Sequence, residues 1–396
     1  MTALVWPFVP DWADGVTENL DWLTDVLQSE TAAEQRRALR VYPRRTLAAP
    51  MFAEGRERQL LDSILFGPGA QEWLLPIWPD IQQLGVSVLA GSAAIPCATQ
   101  YLDFTAGGKA LLRGESAFQT ELVDVESVLE DGLVLSSPTS GDWMAGARLY
   151  PVRRAQLAET PQLTRLQDRL QQLEMRWLIM EPCAWPGVLP ATLYRGRPVL
   201  ADRPDESEDL TAQFQRLLLT LDNRLALPAV TDTAGRALYM VAWRWIDLGR
   251  ERRAWLRSLL YGLRGRQQAV WVPTHADDLT LVAPVAANAA SIDVRLCGYT
   301  QFVQARPGRR DIRIELWNGT ALHRRITGSS VVGLSTERLQ LDAALGQAVT
   351  PGQVMRISYL CLCRLSGDSV EIRHETDSEG VATCSLQFLE VRDDEL

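Results

Sequence analysis

The segment "GRERQLLDSILFGPGAQEWLLPIWPDIQQL" (Gly55–Leu84) returns half a chain later as "GRERRAWLRSLLYGLRGRQQAVWVPTHADDLTL" (Gly249–Leu281). An internal repeat constrains a fold more tightly than composition does, because each copy must build the same structural unit. In both copies Gly-Arg-Glu-Arg precedes an apolar stripe. Leu60, Leu61, Ile64 and Leu65 form it in the first; Trp255, Leu256, Leu259 and Leu260 repeat the spacing in the second. This is the spacing of a helix with one buried face. Each helix is expected to stop at a glycine, Gly67 or Gly262, in the left-handed C-cap position. Then come a second glycine (Gly69, Gly265), a short apolar strand ending in proline ("EWLLP", "AVWVP") and an aspartate, Asp80 or Asp277. Helix preference alone would give the stripe but not the shared glycine, proline and aspartate.

The correspondence continues downstream. Val128–Leu157 resembles Val331–Leu365: a short strand, a polar break, a glycine (Gly146, Gly352) and a longer strand. Each half closes on an alternating segment, Leu173, Met175, Trp177 and Ile179 in one, Cys384, Leu386, Phe388 and Val391 in the other, where alternation holds until the last step. Glu181 and Glu390 are read as equivalent ends. Separations that drift from 194 residues (Gly55, Gly249) to 209 (Glu181, Glu390) are what loop insertions in a duplicated domain produce. Outside the helices period-two alternation dominates, with turn signals such as "EDG", "SPTSGD" and "SGDS". The sequence therefore reads as mainly β with some α: two tandem β-sandwich or barrel domains, each with one packed helix. The expected boundaries are residues 1–184, a Pro-, Gly- and acid-rich linker or arm at 185–225, and residues 226–396. Within that linker "TAQFQRLLLTLDNR" fits a short helix and an extended arm equally.

At 396 residues, two domains are the natural expectation. No apolar run reaches the length of a membrane span, and "MTALVWPFVPDWADG" lacks the pattern of a secretory signal, so a cytoplasmic chain is the expectation. A net charge of −9 argues against binding nucleic acid by neutralising phosphates. Lys109 is the only lysine, so the positive charge is almost wholly arginine, which suits protein–protein contacts as a planar, multi-donor group. The six cysteines are read as buried free thiols. Cys361 and Cys363 share a strand face, but three histidines (His275, His323, His374) do not complete a zinc site by any recognisable spacing.

The N-terminal stretch "WADGVTENLDWLTDVLQSETAAEQRRALRVYPRRTLAAPMF" resembles the start of tailed-bacteriophage distal-tail and minor tail proteins. These include the lambda-type minor tail protein M family and the distal tail component of gene transfer agents. The matching pieces are Glu34, Arg36, Arg37, Arg40 and the Arg44-Arg45 pair, the helix Glu57–Phe66, Gly67, Gly69, Trp73, Pro76, Trp78 and Asp80. The second half matches at Gly249–Leu281 and in its closing strands. The usual glycine of the acidic turn is replaced around Ala32 and Ala33, and the second copy has no clear Glu-x-Arg cluster. The resemblance implies tail-tube-like domains and a virion protein of the tail tip or baseplate, assembled in the host cytoplasm. Its implied neighbours are the tail tube protein, the tape measure protein, the hub and the receptor-binding or fibre proteins, with DNA passing through unbound.

On this reading Glu34, Arg36, Arg37, Arg40, Arg44 and Arg45 form an assembly surface, with Glu34 meeting arginine of the next subunit and closing a ring by a repeated head-to-tail contact. Trp78, Trp243 and Trp245 are candidate contacts of the same kind, and burial in a core is the competing reading for the tryptophans. The bland alternative for the arginines is a solvated basic face with weak salt bridges. A trimer whose six domains imitate sixfold symmetry is favoured over a hexamer. An acidic bore that repels phosphate would account for the negative charge. No catalytic residue, cofactor or metal is expected. "THADD" (Thr274–Asp278) offers His275 beside Asp277 and Asp278, but its counterpart holds Trp78 and Asp80, so it reads as a turn. Glu121, Asp124 and Glu126 are three carboxylates among 49 acids, and "TAGGKALLRGES" lacks phosphate-loop spacing. The alternative function is a carbohydrate- or cell-wall-binding β-sandwich using exposed aromatics such as Trp6, Trp12 and Trp22.

Overall fold

Strict alternation drives the longest segments into sheet. Leu173, Met175, Trp177 and Ile179 are buried in one core while Glu174 and Arg176 between them are exposed. The computed structural model describes residues 4–69 and 71–392, and it is mainly β with some α. The first half contains β1 (Leu4–Val5), β2 (Val16–Asp21), β3 (Thr24–Gln28), β4 (Glu34–Ala38), β5 (Arg44–Glu54), helix α1 (Gly55–Phe66), β6 (Trp73–Pro76), β7 (Gln82–Gln83), β8 (Ala94–Pro96), β9 (Lys109–Arg113), β10 (Thr120–Leu129), β11 (Gly132–Leu135), β12 (Arg148–Leu157), β13 (Leu163–Arg165) and β14 (Leu170–Ile179). The second contains β15 (Leu193–Tyr194), β16 (Arg197–Pro198), β17 (Thr211–Gln215), β18 (Leu218–Leu221), β19 (Ala229–Asp232), β20 (Leu238–Asp247), helix α2 (Arg250–Leu263), β21 (Val270–Pro273), β22 (Ser291–Arg295), β23 (Asp311–Leu316), β24 (Ala321–Val331), β25 (Thr336–Leu341), β26 (Val354–Leu365), β27 (Ser369–His374) and β28 (Ala382–Glu390).

The halves share one connectivity. β14 lies between β5 and the pair β12 and β13; β28 lies between β20 and the pair β26 and β27. β6 and β9 join β12 as β21 and β23 join β26. The series β9-β10-β11-β8 is repeated by β23-β24-β25-β22. Even small contacts recur 194 residues on. The Asp11 amide bonds to the Pro50 carbonyl and the Asp205 amide to that of Arg244. The Asp11 carboxylate accepts from the Ala13 amide, and that of Asp205 from the Ser207 amide.

Four sequence expectations are corrected. Val5 pairs in parallel with Leu74, and Val199 does so with Trp271, so the second unit is under way by residue 199 rather than 226. Residues 185–225 are no loose linker: Trp185 donates to Ser258 Oγ at 2.9 Å, Tyr194 donates to Asp311 at 2.6 Å, and "TAQFQ" is strand β17. Gly262 lies inside α2, close against Leu189, and Arg264 takes the left-handed cap (φ 53°), while Gly67 does end α1 but with φ −91° rather than a left-handed backbone. Register matches Glu390 with Ile179, since these face Cys363 and Ala155; Glu181 lies beyond its strand.

Each half has two matching cores among the described residues, and the second half adds a smaller cluster around Tyr194, Val199, Trp271 and Leu360. One lies under the helix (Trp6, Met51, Trp73 and Trp177 in the first; Trp243, Leu256, Leu260 and Phe388 in the second). The other fills the β-lobe inserted before the long strand, around Leu112, Leu133 and Leu149 or Ile314, Leu339 and Ile357. The sheets stay open, so the barrel option does not hold within one chain. β2 pairs with β5 on one side and β27 on the other, which fuses the halves into a single run, β13-β14-β5-β2-β27-β28-β20-β17.

Candidate assembly interface

The seam between the halves is built around buried charge. Glu18 on β2 and Asp80 on the turn after β6 face Arg253 and Arg257, one helical turn apart on α2. Arg257 lies 3.1 Å from Glu18 and 3.0 Å from Asp80, and Arg253 donates to Asp80 at 2.6 Å. Arg45 spans Glu18 at 2.7 Å and Asp103 at 2.6 Å, and His374 Nε2 lies 2.8 Å from Glu18. Burial opposes the charge on Glu18, but Arg257, Arg45 and His374 outweigh it and hold its carboxyl well below the usual carboxylate range. Asp80 is held low against its own burial by Arg257 and Arg253. Burial pulls Arg253 down to about 10 and keeps His374 below its usual value despite Glu18. A neutral His374 must then carry its proton on Nε2 to donate to the carboxylate. Such a cluster adds little net stability over an apolar one, yet it penalises every arrangement that unpairs a member. It therefore fixes how the second unit sits against the first.

The hairpin β3–β4 forms a second clasp. Glu34 accepts two hydrogen bonds from Arg364, at 2.7 and 2.8 Å. Thr24 donates twice to Asp368, and Arg266 donates to the Thr24 carbonyl at 2.7 Å. The arm of the first unit thus lies across the second.

The predicted cluster is accordingly split. Glu34 does meet arginine, but that arginine is in the same chain. Arg36 is 3.5 Å from Glu34, and Arg40 bonds Asp21 and the Trp22 carbonyl. Arg37 makes an exposed pair with Asp25, and Arg44 is exposed. Arg45 is buried in the charged seam. Trp78 is wholly buried and donates to the Phe8 carbonyl; Trp243 and Trp245 lie in the α2 core with rings 6.3 Å apart. These three are core residues, because alternation in their strands or turn points them inward.

The other candidates resolve as structure. His275 is buried against Trp243 with its pKa lowered to about 4 by burial, while Asp278 accepts from the Thr274 hydroxyl and the Tyr359 amide and Asp277 is exposed. Glu121 accepts from Ser140, Gly141 and Trp143, pinning one loop. Trp6 and Trp22 are buried and Trp12 is half-buried. Trp185 and Trp255, which flank an open groove between the halves, have ring faces covered by Arg257 and Arg252. Tyr101 lines the same groove and is exposed. Cys361 and Cys363 are both buried, whereas Cys297 is exposed, contrary to expectation.

Sequence reasoning missed Glu18, Arg253, Arg257 and His374, and it treated Asp80 only as a marker of the repeat. One signal was present: two arginines four residues apart, set among the apolar positions of α2. Comparison with protein-family models and with curated proteins finds no match to this chain.

Proposed function

We propose that this chain is a non-enzymatic structural subunit of a tailed-phage tail tip. It forms a ring with further copies of itself at the end of the tail tube and links the tube to hub and receptor-binding proteins. The observation that carries the reading is the fused sheet: two units joined side by side, head to tail, with unlike open edges at its ends, β13 and β17. A head-to-tail contact that can repeat generates a ring when its rotation closes. Three copies would supply roughly 24 strands, which at a spacing of about 4.8 Å and the usual tilt form a cylinder roughly 45–50 Å across. That is wide enough to pass a double helix.

The solvent face of the fused sheet carries both signs, with Arg44, Glu174, Arg176, Glu371 and Arg373 exposed. If this face lines the bore, DNA passes over a balanced polar surface, and repulsion by a purely acidic lining is not needed. The test is native mass measurement and electron microscopy of the purified chain, followed by a map of the particle. Closed rings of three or six at the tube end are expected. A chain that stays monomeric and binds glycans would sink the proposal.

A further inference from the structure

The internal seam has a missing twin. Register makes β17 the counterpart of β2: Thr17–Asp21 pair with Ala48–Arg44 and Thr211–Gln215 with Ala242–Leu238. It likewise makes β13 the counterpart of β27, because Leu163 faces Leu173 where Ile372 faces Cys384. The hairpin β18–β19 is the counterpart of β3–β4, with Leu218 opposite Asp232 as Thr24 is opposite Ala38. Within the chain β2 is paired to β27 and the β3–β4 arm is clasped. Among the described residues β17 pairs only with β20, β13 only with β14, and β18–β19 stands alone.

Both unmatched surfaces carry exposed apolar residues where they correspond to the buried seam, with Arg165 in the place of buried His374. Phe214 takes the place of buried Leu20 and is 63% exposed; Leu163 takes the place of buried Ile372 and is 44% exposed. On the arm, Leu218 and Val230 replace Thr24 and Arg36, and both are exposed. On the opposite side, Phe66 at the end of α1 replaces buried Tyr261 and is 96% exposed. Only one residue of α1 is fully buried, against eight of α2, since the outer face of α2 is covered by the first unit. Charge is kept only in part: exposed Asp277 is the repeat of Asp80 and, on the spacing of the apolar stripe, Arg58 is the repeat of Arg253, but Arg58 pairs with Asp62, which stands where Arg257 does, and Ala212 stands where Glu18 does.

We propose that β17 and the β18–β19 arm of one copy dock on β13 and α1 of the next copy, repeating between chains the seam made within one. The occupant of each surface is thus a second copy of this chain, because continuity with the internal seam fixes both register and polarity. Ala212 then opposes Leu163 of the neighbouring copy, as Glu18 opposes Ile372. This inference rests on the ring reading and adds the surface that closes it.

The test uses the full chain carrying Ala212→Cys and Leu163→Cys together. Directly opposed residues on paired strands are close enough to bridge. Mild oxidation should give reducible multiples of the chain ending at a closed species, which neither single variant nor the unaltered chain gives. Separately, Leu218→Glu with Val230→Glu should weaken self-association roughly 100-fold by charging two apolar contacts. The monomer's circular dichroism should not change, since both side chains are exposed. Rings that form with undiminished affinity in the arm variant, or that never cross-link at 212–163, overturn this seam and leave the tail-tip reading standing. An unaltered chain that is monomeric at all concentrations overturns both.

Discussion

The guanidinium of Arg257 lies 3.1 Å from Glu18 and 3.0 Å from Asp80, so one side chain on the second unit's helix holds two carboxylates of the first. Both acids are fully buried, and neither can recover water if the arginine is removed. The paired state is not intrinsically strong, but the unpaired state is costly.

Arg257→Ala should therefore destabilise the chain by about 3–5 kcal/mol, the range for breaking a buried ion pair from one side. The drop would be read as a lower urea midpoint. Arg44→Ala, at an exposed position, should stay within about 0.5 kcal/mol of the parent. Equal effects at the two sites would remove the buried seam from the account of stability.

Glu34 and Arg364 hold the arm of the first unit across the second through two parallel bonds, with both side chains nearly buried. Glu34→Ala should free the hairpin more than it unfolds the whole. Hydrogen exchange should speed up across residues 24–38 while the α2 core keeps its protection. Unchanged exchange in the hairpin would show that Thr24 and Asp368 hold it unaided.

The helix–turn–strand repeat was legible because its glycines, prolines and apolar spacing are local signals. The arms were not. Glu34, Arg36 and Arg37 correspond by register to Pro228, Val230 and Thr231, which share no chemistry with them, so only strand pairing exposes the match. The charged seam was hidden for another reason. Glu18 and His374 are distant in sequence and meet only because β2 inserts beside β27. Trp243 and Trp245 show the converse: their alternation was legible, but alternation gives a face and does not say whether a core or a partner covers it.

The histidines give the protein a defined acid weakness. Burial lowers His275 and His323 to about 4 and lowers His374 as well. Unfolding frees each to bind a proton near its ordinary value of about 6.5. Stability is therefore unaffected above that value, falls as pH drops from roughly 6.5 toward 4, and has lost this contribution below it. For His275 and His323 each drop to about 4 corresponds to about 3 kcal/mol. His275→Asn tests the sign, since asparagine tolerates the left-handed backbone there (φ 55°). The variant's urea midpoint should decline less between pH 6.5 and 4 than the parent's. A parallel decline would clear His275 of any part in it.

The segment after β14 supplies the last test, because a flexible tether and a packed strap respond oppositely to one methyl group. A Cβ added at Gly187 would sit 2.9 Å from the Tyr261 carbonyl oxygen and 3.0 Å from the Gly262 nitrogen, both backbone atoms of α2. Neither can move without bending the helix, so Gly187→Ala should cost about 1–3 kcal/mol through overpacking. Trp185, stacked under Arg257 two residues earlier, should report the displacement as a change in fluorescence. At Gly85 a Cβ meets nothing within 4 Å, and its backbone is ordinary. Gly85→Ala should therefore be neutral or stabilise by about 0.4–1 kcal/mol by restricting the unfolded chain. If Gly187→Ala behaves as Gly85→Ala does, residues 185–200 are a tether after all, and the second unit begins further along the chain.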